Sequence, residues 1–329
     1  MQKKIAPDIS KRIQIVRAIC IVMTCMVHCA SFTTYETIWM PLCHGCVGVF
    51  IFLSGYLTAY EEQWWRVGKR RFLRVFFPYI IWSTIYMLLE KNYNTFLWNL
   101  LTGQGCSVYY YIIVYMELIL LTPLLLKLVS SRWWVLGYLM TPLYMCFIYA
   151  MAFQGRIVMY PYNINHFAAW LIFYYLGLRI RYREDNGKPL EKKLSAKVLI
   201  VLAAFCLIVE ETEAQYWIRF GREDLAGTQV KMSAMCTCLI LCLLTYVYIT
   251  WSRTLKEHRG ICALIHVGDA SFGIYLTHLL LINVLVRIFA WDAISVPVRT
   301  ILVTASTYIF VSILRKLCHE KWGKIIGVF

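Results

Sequence analysis

The chain has 329 residues, of which 60% are hydrophobic and 16% charged, and its mean hydropathy is +0.61. A soluble domain carries about 25% charged residues, so this composition excludes an ordinary soluble protein and indicates a multi-pass membrane protein. The formal net charge of +15 argues little for nucleic-acid binding, because the basic residues are distributed between the apolar segments.

Ten apolar segments are candidate membrane spans. They cover residues 13–33, 41–60, 72–89, 108–128, 133–152, 164–180, 195–210, 229–251, 269–289 and 298–317. Pro78 and Pro142 interrupt two of them, and the acidic cluster at Glu210 ends the seventh. No linker divides residues 1–329. We therefore predict an all-α integral membrane protein with a single domain, a bundle of about ten transmembrane helices.

The charge distribution predicts the orientation of this bundle. If the N-terminus is cytoplasmic, the segments on the cytoplasmic side carry 26 of the 33 Lys and Arg residues. Short cytoplasmic loops are enriched in Lys and Arg, so the pattern predicts an even number of spans with both termini in the cytoplasm. Most of the thirteen cysteines lie in apolar spans, where thiols pack as small hydrophobic groups.

The first span carries two residues that are costly in a bilayer, Arg17 and His28. Their spacing of eleven residues is close to three helical turns, which places both side chains on one stripe roughly 16 Å apart. An ionisable residue inside a membrane costs roughly 2.5–3.5 kcal/mol on insertion scales and usually serves a function. We predict that this helix lines a reaction site.

The second span contains two features that have ordinary alternatives. Ser54 and Gly55 allow either close helix packing or close approach of a ligand to the backbone. Cys43, His44 and Cys46 supply three of the four ligands that a structural zinc site needs, so we interpret this cluster as structural and predict no metal.

A basic segment from Arg66 to Arg74 precedes the third span. Arg71 and Arg74 are three residues apart and lie on one face of a helix start. Paired guanidinium groups bind phosphates well, whereas a basic loop that only fixes topology is the simpler alternative.

Two further ionisable residues lie within predicted spans, Glu117 in the fourth and His278 in the ninth. Each has the alternative of a hydrogen bond between helices. The remaining histidines, which we assign no role, are at predicted span ends or in loops: His44, His166, His258, His266 and His319. The polar stretch 210–231 is a candidate amphipathic helix or lid, and the short apolar segment 261–267 is predicted to lie at the inner interface.

Four motifs resemble those of the membrane acyltransferase-3 family, in order along nearly the whole chain. They are Arg17 followed by ten residues and His28, Phe52-Leu-Ser54-Gly55-Tyr56, Arg71-Phe-Leu-Arg74 before Pro78-Tyr79, and Ser271-Phe-Gly-Ile-Tyr275-Leu-Thr-His278. The acidic or amide residue that usually shortly precedes the first arginine is absent, since residues 12–15 read Arg-Ile-Gln-Ile.

The resemblance implies an O- or N-acyltransferase that moves an acyl group, most often acetyl, from cytosolic acetyl-CoA to a sugar hydroxyl of the cell envelope. The site residues it suggests are His28 as general base or acyl carrier, Glu117 and His278 as assisting groups, and Arg17, Arg71, Arg74 and Ser54 at the acyl-CoA. The expected partners are acyl-CoA, a glycan or lipid-linked sugar, membrane lipid and a second copy of the chain. The expected location is the inner (cytoplasmic) membrane.

Two other functions fit the same residues. Buried His, Glu and Arg also describe a transporter with a proton relay, although no inverted repeat or broken-helix pair is visible. A sensor or scaffold without turnover would need neither His28 nor Arg71.

Overall fold

The computed structural model describes residues 6–30, 39–58, 64–91, 94–190, 194–256 and 258–329. These residues form helices and contain no strand. The helices are α1 Pro7–Cys29, α2 Trp39–Tyr56, α3 Trp64–Leu89, α4 Phe96–Thr102, α5 Tyr110–Ser130, α6 Met140–Phe153, α7 Phe167–Asp185, α8 Ala196–Arg219, α9 Glu223–Ala226, α10 Met232–Ile249, α11 Arg259–Asp269, α12 Ser271–Ile288, α13 Val296–Leu317 and α14 Glu320–Ile325. Short 3₁₀ turns precede α5, α6 and α13.

Each of the ten predicted spans coincides with a helix. Seven described helical segments are long and apolar enough to cross a membrane: α1, α2, α3, α5 with its preceding turn, α10, α12 and α13. The other three are α6, which has only 14 residues, α7, whose last turns are charged, and α8, which includes the acidic cluster. The all-helical membrane fold is therefore confirmed, while the count of ten crossings and the sides of the termini stay predictions.

Several helix boundaries differ from the prediction. The basic segment 66–74 is part of α3, so it is helical and not a loop. Residues 210–219 continue α8, and only residues 220–231 form a separate connection with the short helix α9. The apolar segment 261–267 lies within α11 and packs against α1. Residues 31–33 and 59–60 of the predicted spans lie outside the described residues, as do Lys3, Lys4, Lys192 and Lys193.

Two large apolar clusters form most of the core, with a small third one between α6, α8 and α9, and α1 and α5 contribute to both large ones. One cluster joins them to α2, α7 and α10, and the other joins them to α3, α12 and α13. The helices α2 and α7 cross so closely at Gly55 that an added Cβ would lie 2.1 Å from the carbonyl oxygen of Tyr174. Gly55 therefore serves helix packing, one of the two roles that its position allowed.

Buried guanidinium groups hold α1 at both ends. At its start, Arg12 donates to the carbonyl oxygen of Tyr248 at 3.0 Å and to that of Arg253. At its end, Arg299 of α13 donates to the carbonyl oxygen of Cys29 at 2.9 Å and to that of Trp291 at 3.0 Å. The last carbonyls of a helix have no partner within the helix and carry partial negative charge, so Arg299 stabilises the end of α1 next to His28.

Candidate functional site

The His28 side chain is exposed and borders a cavity of about 370 Å³. His28 belongs to the last turn of α1, and Thr24 lies one turn earlier on the same helix. The cavity is lined by side chains from α1, α2, α5 and α12 and by residues 227–229 of the connection between α9 and α10. Besides His28, its polar and aromatic groups from the helices are Thr24, His44, Cys46, Tyr110, Tyr111 and Tyr275. His28 therefore faces an open space between these helices.

A second, narrower cavity of about 60 Å³ contains Arg17. It shares four wall residues with the His28 cavity: Thr24, Val47, Tyr111 and Tyr275. The two cavities therefore adjoin along one side of α1, and we refer to these four shared residues as the neck. Tyr275 is fixed at this neck by a hydrogen bond from its hydroxyl to the carbonyl oxygen of Val108, and Tyr111 packs edge to face against it at 5.4 Å.

His278 lies directly behind His28, with the two ring centroids 5.3 Å apart. It is fully buried, and its Nδ1 is 2.8 Å from the carbonyl oxygen of Tyr275. A carbonyl oxygen only accepts hydrogen bonds, so Nδ1 must carry the proton. Nε2 is then an acceptor, and no described residue donates to it. An unpaired buried acceptor costs about 1–3 kcal/mol, and the adjacent imidazole of His28 is the group best placed to supply the missing donor.

Arg71 is engaged by the protein itself. Its guanidinium donates to the Ser54 hydroxyl at 2.9 Å, to the Ser54 carbonyl at 3.1 Å, to the Tyr115 hydroxyl at 3.3 Å, and to the Thr58 hydroxyl. These bonds attach α3 to the end of α2 and to α5. Ser54, which the sequence places at a cofactor, is here a partner of Arg71.

Arg74 lies one turn further along α3 and is exposed. Within the described part of the chain it makes no hydrogen bond or ion pair, and it is close enough to Arg17 for the two charges to repel. Arg17 donates to the side chain of Gln14 at 3.3 Å and also lies near Asp269. Arg17 lines the narrow cavity and Arg74 is near enough to add its charge, and two neighbouring guanidinium groups favour an anion.

Glu117 lies apart from both cavities. One of its carboxylate oxygens accepts the backbone N–H of Phe167 at 2.8 Å, at the first residue of α7. The first N–H groups of a helix lack partners within the helix, and a carboxylate there is favourable. His166 caps the same helix start by accepting the N–H of Ala168 at 3.2 Å. The geometry thus gives both residues a structural contact.

Sequence reasoning missed a buried pair between α2 and α8. Nδ1 of His44 is 2.6 Å from a carboxylate oxygen of Glu210, and both side chains are almost inaccessible. Lys231, also buried, lies near Glu210 and donates to the carbonyl oxygen of Ala226 at 2.8 Å. His44 and Gly227 both line the cavity, so we expect this pair to anchor the connection 227–229 beside the cavity.

The individual residues of this pair were visible in the sequence, but their contact was not. His44 belongs to the cysteine-flanked cluster, and Glu210 to the acidic cluster at the end of the seventh predicted span. Their separation of 166 residues gives no periodicity from which a contact follows. Within the connection 220–231, Arg222 bonds Asp224 of α9 and holds the pKa of that carboxyl below its usual range, so residues 222–224 are also held by a local ion pair.

The His44–Glu210 pair is expected to couple strongly in a double-mutant cycle. Breaking a buried pair leaves one partner unpaired and costs about 3–5 kcal/mol, so His44→Ala, Glu210→Ala and the double variant should lower stability by similar amounts. The measurement is thermal unfolding of the purified chain. The exposed pair Glu320–Lys324 is the matched control, for which about 0.3–0.5 kcal/mol of coupling is expected. Additive effects at His44 and Glu210 would contradict the anchoring role.

Comparison with known protein families gives a match over most of the chain. The family model for an acyltransferase domain, acyltransferase-3, matches residues 10–316. No curated protein and no solved structure matches the chain.

Proposed function

The chain belongs to the acyltransferase-3 family, and on this premise we propose that it transfers an acyl group, acetyl in the first instance, from acyl-CoA to a hydroxyl of a cell-envelope sugar or glycan. The observation that carries the proposal is the pair of adjoining cavities, which border Arg17 and His28 respectively along α1. The same observation supports acyl transfer over transport, because it sets a basic group that suits an anionic donor next to a space lined by an imidazole.

The donor is proposed to bind on the Arg17 side of the bundle, which we assign to the cytoplasm of an inner-membrane protein. Acyl-CoA carries several phosphate charges, and the predicted cytoplasmic segments carry most of the basic residues, so long-range attraction favours this side. Arg74 and Arg17 are the groups proposed to contact phosphate. Arg71 and Ser54 shape the same region, because their mutual bonds fix the end of α2 against α3.

The acyl group is proposed to reach His28 through the neck between the two cavities. The rise from Arg17 to His28 along α1 is roughly 16 Å, so the donor has to enter with its pantetheine arm extended and the acyl group leading. The neck is formed by Thr24, Val47, Tyr111 and Tyr275. The wider His28 cavity then receives the acceptor hydroxyl from its other side, next to the connection 227–229.

Two reaction routes fit His28. In the first, the ring nitrogen that carries the lone pair attacks the thioester, the C–S bond breaks, and coenzyme A leaves as a thiolate while the other ring nitrogen keeps its proton. The acceptor hydroxyl then attacks the acyl-imidazolium, the C–N bond breaks, and the hydroxyl proton passes by way of His28 to the thiolate. In the second, His28 takes the hydroxyl proton while the oxygen attacks the thioester, and the proton passes to the departing thiolate.

His278 is proposed to position His28 in either route. Because Nδ1 of His278 is committed to the Tyr275 carbonyl, its Nε2 is available to accept the N–H of the His28 nitrogen that faces away from the cavity. A small rotation of the His28 ring would form that bond, and apo active sites often show such bonds poorly aligned. The bond leaves the lone pair of His28 directed into the cavity and stabilises the positive charge that the ring acquires. Glu117 contacts Phe167, so its proposed contribution to the reaction is indirect, through the position of the start of α7.

Replacement of His28 by Ala is expected to abolish acyl transfer, because the group that receives the proton or the acyl is removed. The measurement is release of coenzyme A from acetyl-CoA by the purified chain in vesicles, with and without a sugar acceptor. A burst of coenzyme A without acceptor would select the acyl-imidazole route. His266→Ala changes an exposed histidine and is the control. Full transfer by His28→Ala would refute the assigned chemistry.

The two arginines of α3 are expected to respond differently. Arg74→Gln should raise the KM for acyl-CoA by about tenfold or more with little change in kcat, since it loses one charge-assisted contact of about 1.5–3 kcal/mol. Arg71→Gln should lower the unfolding temperature, because its bonds to Ser54, Thr58 and Tyr115 are lost. Steady-state kinetics and thermal unfolding test this, with Lys69→Gln, an exposed residue of the same helix, as the control. An unchanged KM in Arg74→Gln would exclude Arg74 from the donor site.

Replacement of His278 by Leu is expected to lower kcat by about 10²-fold or more while the KM for acyl-CoA stays constant. His278→Gln should recover part of the rate, because its amide oxygen can accept the His28 N–H. Stability should fall little in the Leu variant, because the bond lost from Nδ1 goes to the Tyr275 carbonyl oxygen of the same helix, which can also accept from the helix backbone. Equal rates for the Leu and Gln variants, or a loss of rate that follows a loss of stability, would show that His278 only packs.

A further inference from the structure

A second basic site lies at the end of α7, away from the donor and acceptor cavities. It is a concave space of about 300 Å³ lined by Arg179, Tyr182, Arg183, Asn186 and Lys188. Three of these five side chains are cationic and none is acidic. We propose that this pocket binds the phosphate of an anionic phospholipid headgroup, a function distinct from acyl transfer.

The backbone at the end of α7 builds the pocket. The helix ends at Asp185, and Gly187 has a positive φ of 71° that reverses the chain. The N–H of Lys188 then donates to the carbonyl oxygen of Arg183 at 2.8 Å, and Nε of Arg183 donates back to the carbonyl oxygen of Lys188 at 3.2 Å. The turn therefore returns Lys188 to the stripe of α7 that carries Arg179 and Arg183.

Arg179 is held in place before any ligand binds. It donates to the carbonyl oxygen of Val129 at 2.6 Å, and its guanidinium lies 4.2 Å from the ring centroid of Trp134. Arg179 and Arg183 are four residues apart, a spacing at which like charges on a helix destabilise each other. An anion between them and Lys188 would remove this repulsion.

The acidic residues of the same segment point elsewhere. Glu184 accepts the hydroxyl of Tyr56 at 3.0 Å, and Asp185 pairs with Arg181 at 3.2 Å. Arg181 also lies over the ring of Tyr56 on α2. One face of the α7 end is thus neutralised against α2, whereas the face that carries the pocket keeps its positive charge.

The surroundings of the pocket favour a lipid over a soluble phosphate compound. Trp134 lies against the Arg179 guanidinium, and its chain neighbours Trp133, Val135 and Leu136 are all exposed. Exposed Trp beside basic residues is typical of the membrane–water interface, and basic pockets between helices on the cytoplasmic side bind anionic headgroups. A headgroup there would keep its acyl chains beside these exposed apolar residues.

The test compares two short-chain lipids on the purified full-length chain by thermal unfolding. Dihexanoyl phosphatidylglycerol should raise the unfolding temperature, and dihexanoyl phosphatidylcholine should not. The variant Arg183→Gln with Lys188→Gln should bind the anionic lipid more weakly by on the order of 20-fold. Lys316→Gln with Lys321→Gln removes the same charge from exposed positions of α13 and α14 and should respond as the unchanged chain does.

Three outcomes would overturn the proposal. The first is an equal response of both double variants to phosphatidylglycerol, and the second is an equal response of the unchanged chain to both lipids. The third outcome uses adenosine 3′,5′-bisphosphate as a soluble phosphate probe. If this compound raises the unfolding temperature of the unchanged chain but not that of the Arg183–Lys188 variant, and if the KM for acyl-CoA rises in that variant, the pocket is part of the acyl-CoA site. If the proposed acyl transfer is wrong, the unchanged chain will release no coenzyme A from acetyl-CoA. That result does not affect the lipid test, which measures only the unfolding temperature.

Discussion

The bond from Arg299 to the carbonyl oxygen of Cys29 is the contact on which the site depends, because it holds the end of α1 where His28 faces its cavity. The end of a helix presents carbonyl groups that need donors, and inside an apolar bundle no water supplies them. A buried guanidinium fills this need and carries a charge that complements the helix dipole. Arg12 does the same at the other end of α1 by bonding two carbonyls near the end of α10.

The ionisable groups within the bundle fall into two sets that differ in what surrounds them. Arg71, Glu117, His44 and Glu210 are engaged by protein partners, and each joins two or more helices. Arg17, Arg74 and His28 keep polar atoms directed at a cavity or at the surface. His278 is intermediate, since one ring nitrogen is bonded and the other is not. Catalysis needs groups of the second kind, whereas groups of the first kind keep the cavities in place.

The cavities also show how polar groups are accommodated within an apolar fold. Around the neck, aromatic rings from α5 and α12 present their faces and edges to one another, so the walls stay mainly apolar with few polar atoms. In such surroundings each remaining charge acts over a longer range than in water. Under the proposed function, Arg17 and His28 therefore do not need to touch; they need only border adjoining cavities.

The sequence by itself determined the helical class, the position of each apolar helix and the alignment of Arg17 with His28. These features follow from local composition and from the helical period, which are properties of neighbouring residues. Only the tertiary structure decided that Glu117 contacts the start of α7, that Arg71 binds Ser54, and that His44 meets Glu210. Those contacts depend on how whole helices rotate and slide against each other. Close approaches such as that of Gly55 to the Tyr174 backbone set that geometry, and no period in the chain encodes them.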